Sequence, residues 1–295
     1  MSKGIVSSVM ASCLFAVMYF YTSLMTPLDG EEVFGWRTLL TLPCLTVFLL
    51  LSKDWKLVTG LLARIRDNPL LLLGLLGTSS MLGVQLWLFL WAPLHGRSLE
   101  VSMGYFLLPL AMVLTGRLVY GERLSRLQKV AVGCAALGVG HELYQNGSFA
   151  WETMLVMIGY PIYFVLRRRC RTDHLGGLWC DMCLLLPWAL YFVIQGPLST
   201  ADLLGHPGLY GLIPLLGAIS ASALIAYVLA SRLLPFSLFG LLSYVEPVLL
   251  VGVALLLGES IGPDQWLTYL PIWAAVLVLV LEGFKHLMRQ RRRSV

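Results

Sequence analysis

One carboxylate stands where the chain is otherwise apolar: Glu246, about ten residues into the run 236–257 and directly before Pro247. An ionisable group at that depth is costly to keep charged, and the proline leaves carbonyls of the preceding turn without their usual donor. Glu246 therefore either exchanges a proton or meets a cationic solute group, or else it is a protonated carboxyl bonded to a nearby carbonyl. The first reading is preferred. Asp181, in the run 176–195, is either a second substrate-binding acid or a helix-terminus partner for Arg167–Arg169. Arg37, near the start of the run 34–51, could attract an anionic group or pair structurally with Glu100, the pairing being favoured. Gln85, Trp87, Tyr105, Tyr163 and Tyr244 are of the types that line polar-aromatic solute cavities, although each aromatic taken singly reads better as packing. His141 and Glu142 end the fifth apolar run and read as interfacial.

Other chemistries find little support. Cys180 and Cys183 form a C-x-x-C on an apolar helix with no second pair, and are read as packing residues. No metal-ligand cluster, nucleophile elbow or phosphate-binding loop occurs, so neither a metal nor a resident cofactor is expected.

Composition sets the solvent in which these residues must act. The 295 residues are 58% hydrophobic and only 13% charged. Soluble domains carry roughly 25% charged residues, so water could not cover a compact form of this chain. Apolar runs of a length that spans a bilayer occur at about 4–24, 34–51, 70–92, 99–119, 127–145, 150–168, 176–195, 208–230, 236–257 and 265–287. The first run exceeds a signal-peptide core and has no A-x-A site after it, so it is expected to remain as the first helix.

Charge supplies the orientation. With the N-terminus inside, all of the 21 basic residues except Arg37 and Arg97 fall in or beside inner segments. The outer loops hold Asp29, Glu31, Glu32, Asp202 and Asp264. That asymmetry predicts an all-α membrane protein of ten transmembrane helices with both termini cytoplasmic. The net charge of +5 then reflects topology and contact with lipid headgroups, the basic tail 289–295 included, and not nucleic-acid binding.

Two segments resemble each other, "GYFLLPLAMVLTGRLVYGE" at 104–122 and "LLSYVEPVLLVGVALLLGE" at 241–259. They are spans four and nine, so an odd number of helices separates equivalent positions and the two copies must point in opposite directions. The expectation is two inverted five-helix repeats, 1–147 and 148–288, with Glu122 inside and Glu259 outside. Such halves can exchange packings and expose a midplane site to each side in turn.

The stretch "LWLFLWAPLHGRSLEVSMGYFLLPL" (86–110), the "GER" turn at 121–123, "YFVLRRR" (163–169) and "RLLPFSLFGLLSYVEP" (232–247) resemble RarD-type proteins of the EamA group, in the drug/metabolite transporter superfamily. The resemblance runs in order along nearly the whole chain. It implies ten helices in two EamA repeats, a central cavity, residence in a bacterial inner membrane, and export or exchange of small metabolites or drugs. It also implies that Arg37 and Asp181 match a basic and an acidic family position. The expected function is thus secondary transport of small polar metabolites or amphipathic drugs by alternating access, with Glu246 as a proton-coupling group. The expected partners are a small-molecule substrate and the lipid bilayer, in a monomer or homodimer. An integral-membrane enzyme acting on a lipid-linked substrate and a non-transporting scaffold are the alternatives.

Overall fold

The structure is a computed structural model that describes residues 2–121, 125–146, 150–196, 207–234, 239, 242–243, 245–275, 277–278 and 281. Tyr244, Glu122 and the basic tail lie outside the described residues, as does the Glu142 side chain. The described elements are helical, in the order α1 (Ser2–Thr22), α2 (Gly30–Leu51), α3 (Lys56–Asp67), α4 (Leu70–Leu94), α5 (Ser98–Tyr120), α6 (Arg126–Asn146), α7 (Trp151–Cys170), α8 (Leu175–Gln195), α9 (Leu209–Leu233), α10 (Val245–Leu256) and α11 (266–275). Six of them, α1, α2, α4, α5, α8 and α9, are long and apolar enough to cross a membrane, and α10 and 129–138 of α6 are shorter apolar helices. Large side chains such as Leu51, Leu118, Leu137 and Ile194 point outward, as a lipid-facing surface requires.

Local chemistry sets the helix ends. Asp29 accepts from the Glu32 backbone N–H at 2.8 Å while Glu32 accepts from the Asp29 N–H at 3.2 Å, a capping box that starts α2. Arg171, in the left-handed region at φ 52°, stops α7. The freed carbonyls of Cys170 and Arg171 accept from the Arg64 guanidinium at 2.8 and 2.9 Å, which also ties α3 to the end of α7. Gly121 (φ 67°) and Gly258 (φ 90°) take the same left-handed turn after α5 and α10, a conformation that costs glycine little.

Two expectations about these elements need correction, and one element was not expected. The segment 52–69, between the second and third apolar runs, contains the helix α3, whose Val58 and Leu61 are buried while Lys56, Arg64 and Arg66 are exposed. It was missed because twelve residues of mixed polarity fail a search for long apolar runs. Glu246 lies in the first turn of the 12-residue α10, not ten residues into a continuous helix. Arg37 is two turns inside α2, because the capping box starts that helix at Gly30.

Several helix pairs pack in parallel fashion along the chain. α1 packs on α9 as α7 packs on α4; α9 packs on α2 as α4 packs on α8; α1 meets α10 as α7 meets α5. α2 also packs on α8 and on α4, and α5 packs on α10. Small residues permit the close crossings. A Cβ at Gly35 would lie 2.7 Å from the Ala189 carbonyl oxygen and from a Val193 methyl, whereas Gly252 has nothing within 4 Å of that position. Gly35→Val is therefore expected to force α2 from α8 and lower stability by about 1–3 kcal/mol. Gly252→Val should leave the thermal midpoint of the detergent-purified protein unchanged, and equal midpoints for the two variants would refute the close-packing argument.

Candidate functional site

A cavity of about 520 Å³ runs between the helices, a size suited to a small solute. Its wall combines Phe15 of α1, Arg37 of α2, the stripe Leu82, Leu86 and Phe89 of α4, Tyr105 and Leu108 of α5, Tyr160, Tyr163, Phe164 and Arg167 of α7, Leu224 and Tyr227 of α9, and Glu246 of α10. Spacings of three and four residues put Tyr160, Tyr163, Phe164 and Arg167 on one face of α7. The lining also reaches Arg168, Asp173 and Arg232, all exposed, so the cavity opens where α7 and α9 end.

The opposite end is tied shut. Arg97, between α4 and α5, binds Glu152 of α7 through Nε at 2.6 Å and Nη2 at 3.1 Å, and Glu100 at 2.7 Å. Glu259, after α10, accepts from the backbone N–H groups of Ser98 and Leu99 at 3.0 and 2.8 Å, placing a carboxylate on the positive end of the α5 dipole. Trp87, Trp91 and Trp151 cluster beside this knot. Glu259 thus lies at the start of α5 and Gly121 at its end, so the two glycine turns sit about 34 Å apart along that helix.

Arg37 is fully buried on the cavity wall. Its Nε donates to Ser220 Oγ at 2.8 Å, its Nη1 reaches the Leu86 carbonyl at 3.4 Å, and its carbon lies 5.9 Å from the Phe89 ring centroid. The Nη2 group has no partner among the described residues. The expected pairing with Glu100 is not found, because Glu100 is held by Arg97 at the sealed end. Glu246, 6% exposed, also faces the cavity and forms no ion pair among the described residues. On the same wall, the hydroxyls of Tyr105 and Tyr160 are 3.0 Å apart and hydrogen-bonded.

The other sequence candidates divide. Tyr105 and Tyr163 lie on the cavity wall. Asp181 is buried behind the wall, accepting from Thr78 Oγ1 at 2.6 Å and pairing with Arg167 at 3.4 Å. Arg167 in turn donates to Tyr163 and to the carbonyls of Thr172 and His174, so Asp181 anchors a structural hub. Gln85 donates to the Leu155 carbonyl at 2.7 Å, in a space that Gly159 leaves open for it on α7. It binds helix to helix and is not on the cavity wall. Trp87 donates to Glu31 at 3.1 Å in the sealed end, also away from the cavity. Both flank the Leu82–Leu86–Phe89 stripe. Tyr160 and Tyr227, which sequence reasoning passed over, are cavity residues, and the α7 spacing was the signal for the first. At the mouth, burial and then the Arg167 guanidinium hold His174 below the usual imidazole range. A neutral ring fits its Nδ1 accepting from the Gly177 N–H at 3.2 Å to cap α8.

Comparison with known proteins agrees with this architecture. Residues 2–140 match the EamA-like transporter family. A chloramphenicol-sensitive protein RarD of Pseudomonas aeruginosa is 43% identical, covering 99% of this chain and 98% of that one. An uncharacterized transporter of Pasteurella multocida is 40% identical over 98% of this chain and 99% of its own length. A solved crystal structure with 17% identity shares the fold at a TM-score of 0.62, over 97% of this chain and 99% of that one. Apolar spans, a central cavity and nearly full-length relatives come together in one statement: the chain is a multi-pass membrane protein that belongs to the EamA-like transporter family, among its RarD-type members.

Proposed function

We propose that this protein is a secondary transporter that exports or exchanges small polar metabolites or amphipathic drugs by alternating access, with Glu246 as its proton-coupling group. The observation that carries the reading is a cavity open at one end, knotted shut at the other, and lined by a buried acid and a buried base that do not pair. The open end holds Arg168 and Arg232, so the positive-inside rule makes it cytoplasmic and the conformation inward-open. Ten spans in two inverted halves, 1–147 and 148–288, supply the mechanism. The repeated packing pairs and the placement of the two glycine turns at opposite ends of α5 support that arrangement. Exchange of packings between the halves would close the cytoplasmic mouth as the Arg97 knot breaks.

Uptake into proteoliposomes, measured with and without an imposed pH gradient, tests the reading. Accumulation of a small solute that responds to the gradient is expected, and a protein that moves none of a broad metabolite and drug panel would contradict it. The knot gives a separate prediction. In a cysteine-free background, Leu108→Cys on the cavity wall should react slowly with a membrane-impermeant maleimide added outside. Arg97→Ala leaves Glu152 buried without its cation, favours the opposite conformation, and should raise that rate on the order of tenfold. An unchanged rate would deny the knot a gating role.

A further inference from the structure

Arg37 is difficult to explain as a structural cation. A buried guanidinium is ordinarily matched by a carboxylate, since its desolvation is otherwise uncompensated. Arg37 is 0% exposed and forms no ion pair among the described residues, with a hydroxyl, one distant carbonyl and the face of the Phe89 ring as its company. Its Nη2 donor has no partner among the described residues, and the residue lines a cavity large enough for a solute. Glu246 does not supply the missing charge. Tyr105 and Tyr160 lie within electrostatic reach of both groups, yet the two form no ion pair.

We infer that the transported solute carries a single carboxylate on an apolar body, and that this carboxylate pairs with the unpartnered Nη2 side of the Arg37 guanidinium as loading uncovers that buried group. The inference rests on the transporter reading and narrows its substrate class. Phe15, Leu82, Phe89 and Leu108 supply an apolar and aromatic wall for the body, close to the guanidinium that Phe89 flanks. The uncommitted donor and the modest volume suit a monovalent oxyanion in preference to a polyphosphate. The rim carries Arg168 and Arg232 against Asp173, an excess of positive charge that draws anions toward the mouth. Loading also resolves the charge of the wall. The carboxylate neutralises Arg37 and a proton neutralises Glu246, so the occluded, loaded cavity holds neither charge unpaired.

Three probes of one shape decide the point: 3-phenylpropanoate, its amide, and 3-phenylpropylamine. Their affinities for the purified full-length protein in detergent are compared by calorimetry at a single pH. The acid is expected to bind ten- to a hundredfold more tightly than the amide, the range of a buried charge-assisted hydrogen bond, and the amine most weakly. In Arg37→Gln the acid should fall to the level of the amide while amide binding persists, which also reports that the variant is folded. The wild-type comparison stands by itself if the variant cannot be purified. Binding led by the amine, equal binding of acid and amide, or binding by none of the three overturns the inference, as does tight acid binding by Arg37→Gln. Counterflow in proteoliposomes separates the two levels of argument. Acid that binds at Arg37 but never crosses sinks the transporter reading and leaves the docking site standing. Transport of the amine or amide in preference to the acid does the reverse.

Discussion

Glu246→Gln is expected to abolish the response of transport to a pH gradient, cutting gradient-driven uptake by about a hundredfold or more, a barrier change of roughly 2.7 kcal/mol. The substitution keeps the shape of the side chain and a polar head but removes the ability to bind and release a proton. Glu246 is the acid that the membrane-embedded part of the wall presents, since Asp173 sits exposed at the mouth and Asp181 is turned away behind α7. Solute counterflow without a gradient should survive, because exchange at equal pH needs no net proton movement. Membrane insertion and elution as a single species should match the wild type, since Glu246 has no ion-pair partner to lose among the described residues. The measurement is the initial uptake rate at two internal pH values. A variant that still accumulates solute in response to the gradient removes Glu246 from the coupling step.

The second large effect concerns stability. Asp181→Ala strands the Arg167 guanidinium, which is only 4% exposed, without its carboxylate. Removing one member of a buried pair costs about 3–5 kcal/mol, chiefly because the other charge stays desolvated. The loss should spread, because Arg167 also holds Tyr163 and the carbonyls of Thr172 and His174 that shape the α7–α8 connection. Asp181→Asn should fall nearly as far: the amide can still accept from Thr78 but offers no charge to Arg167. Thermal unfolding in a mild detergent checks both, with a drop on the order of 10 °C expected. If Asp181→Ala melts with the wild type, the pair is not what secures this corner, and the alternative role of Asp181 as a solute ligand returns.

The contrast between these two acids shows what could and could not be read in the chain. Both were identified as intramembrane carboxylates from hydropathy alone, and both are buried. Asp181 pairs with Arg167 near the end of α7, while Glu246 faces the cavity. Their difference lies in which helix each one faces. Gln85 and Trp87 illustrate the same limit, for they sit among cavity residues of α4 in sequence yet point toward α7 and the sealed end. Arg37 moved from a surface position to a fully buried one because a capping box, set by Asp29 and Glu32, starts its helix earlier than hydropathy suggests. That motif was legible in the sequence, and hydropathy overshadowed it.

Hydropathy and the placement of basic residues by themselves determined that this is a multi-pass helical membrane protein, since bilayer thickness and the cost of buried charge act on each segment separately. The motifs at 86–110 and 121–123 likewise carried the family. The tertiary structure alone decided which side of each helix meets the cavity, that Arg37 and Glu246 share one chamber without pairing, and that Arg97 ties one end closed. The reason is physical. In water an amphipathic period reveals the inner face of a helix, but lipid is as apolar as a protein core, so a spanning helix is apolar all round and its facing is fixed only by packing against its neighbours.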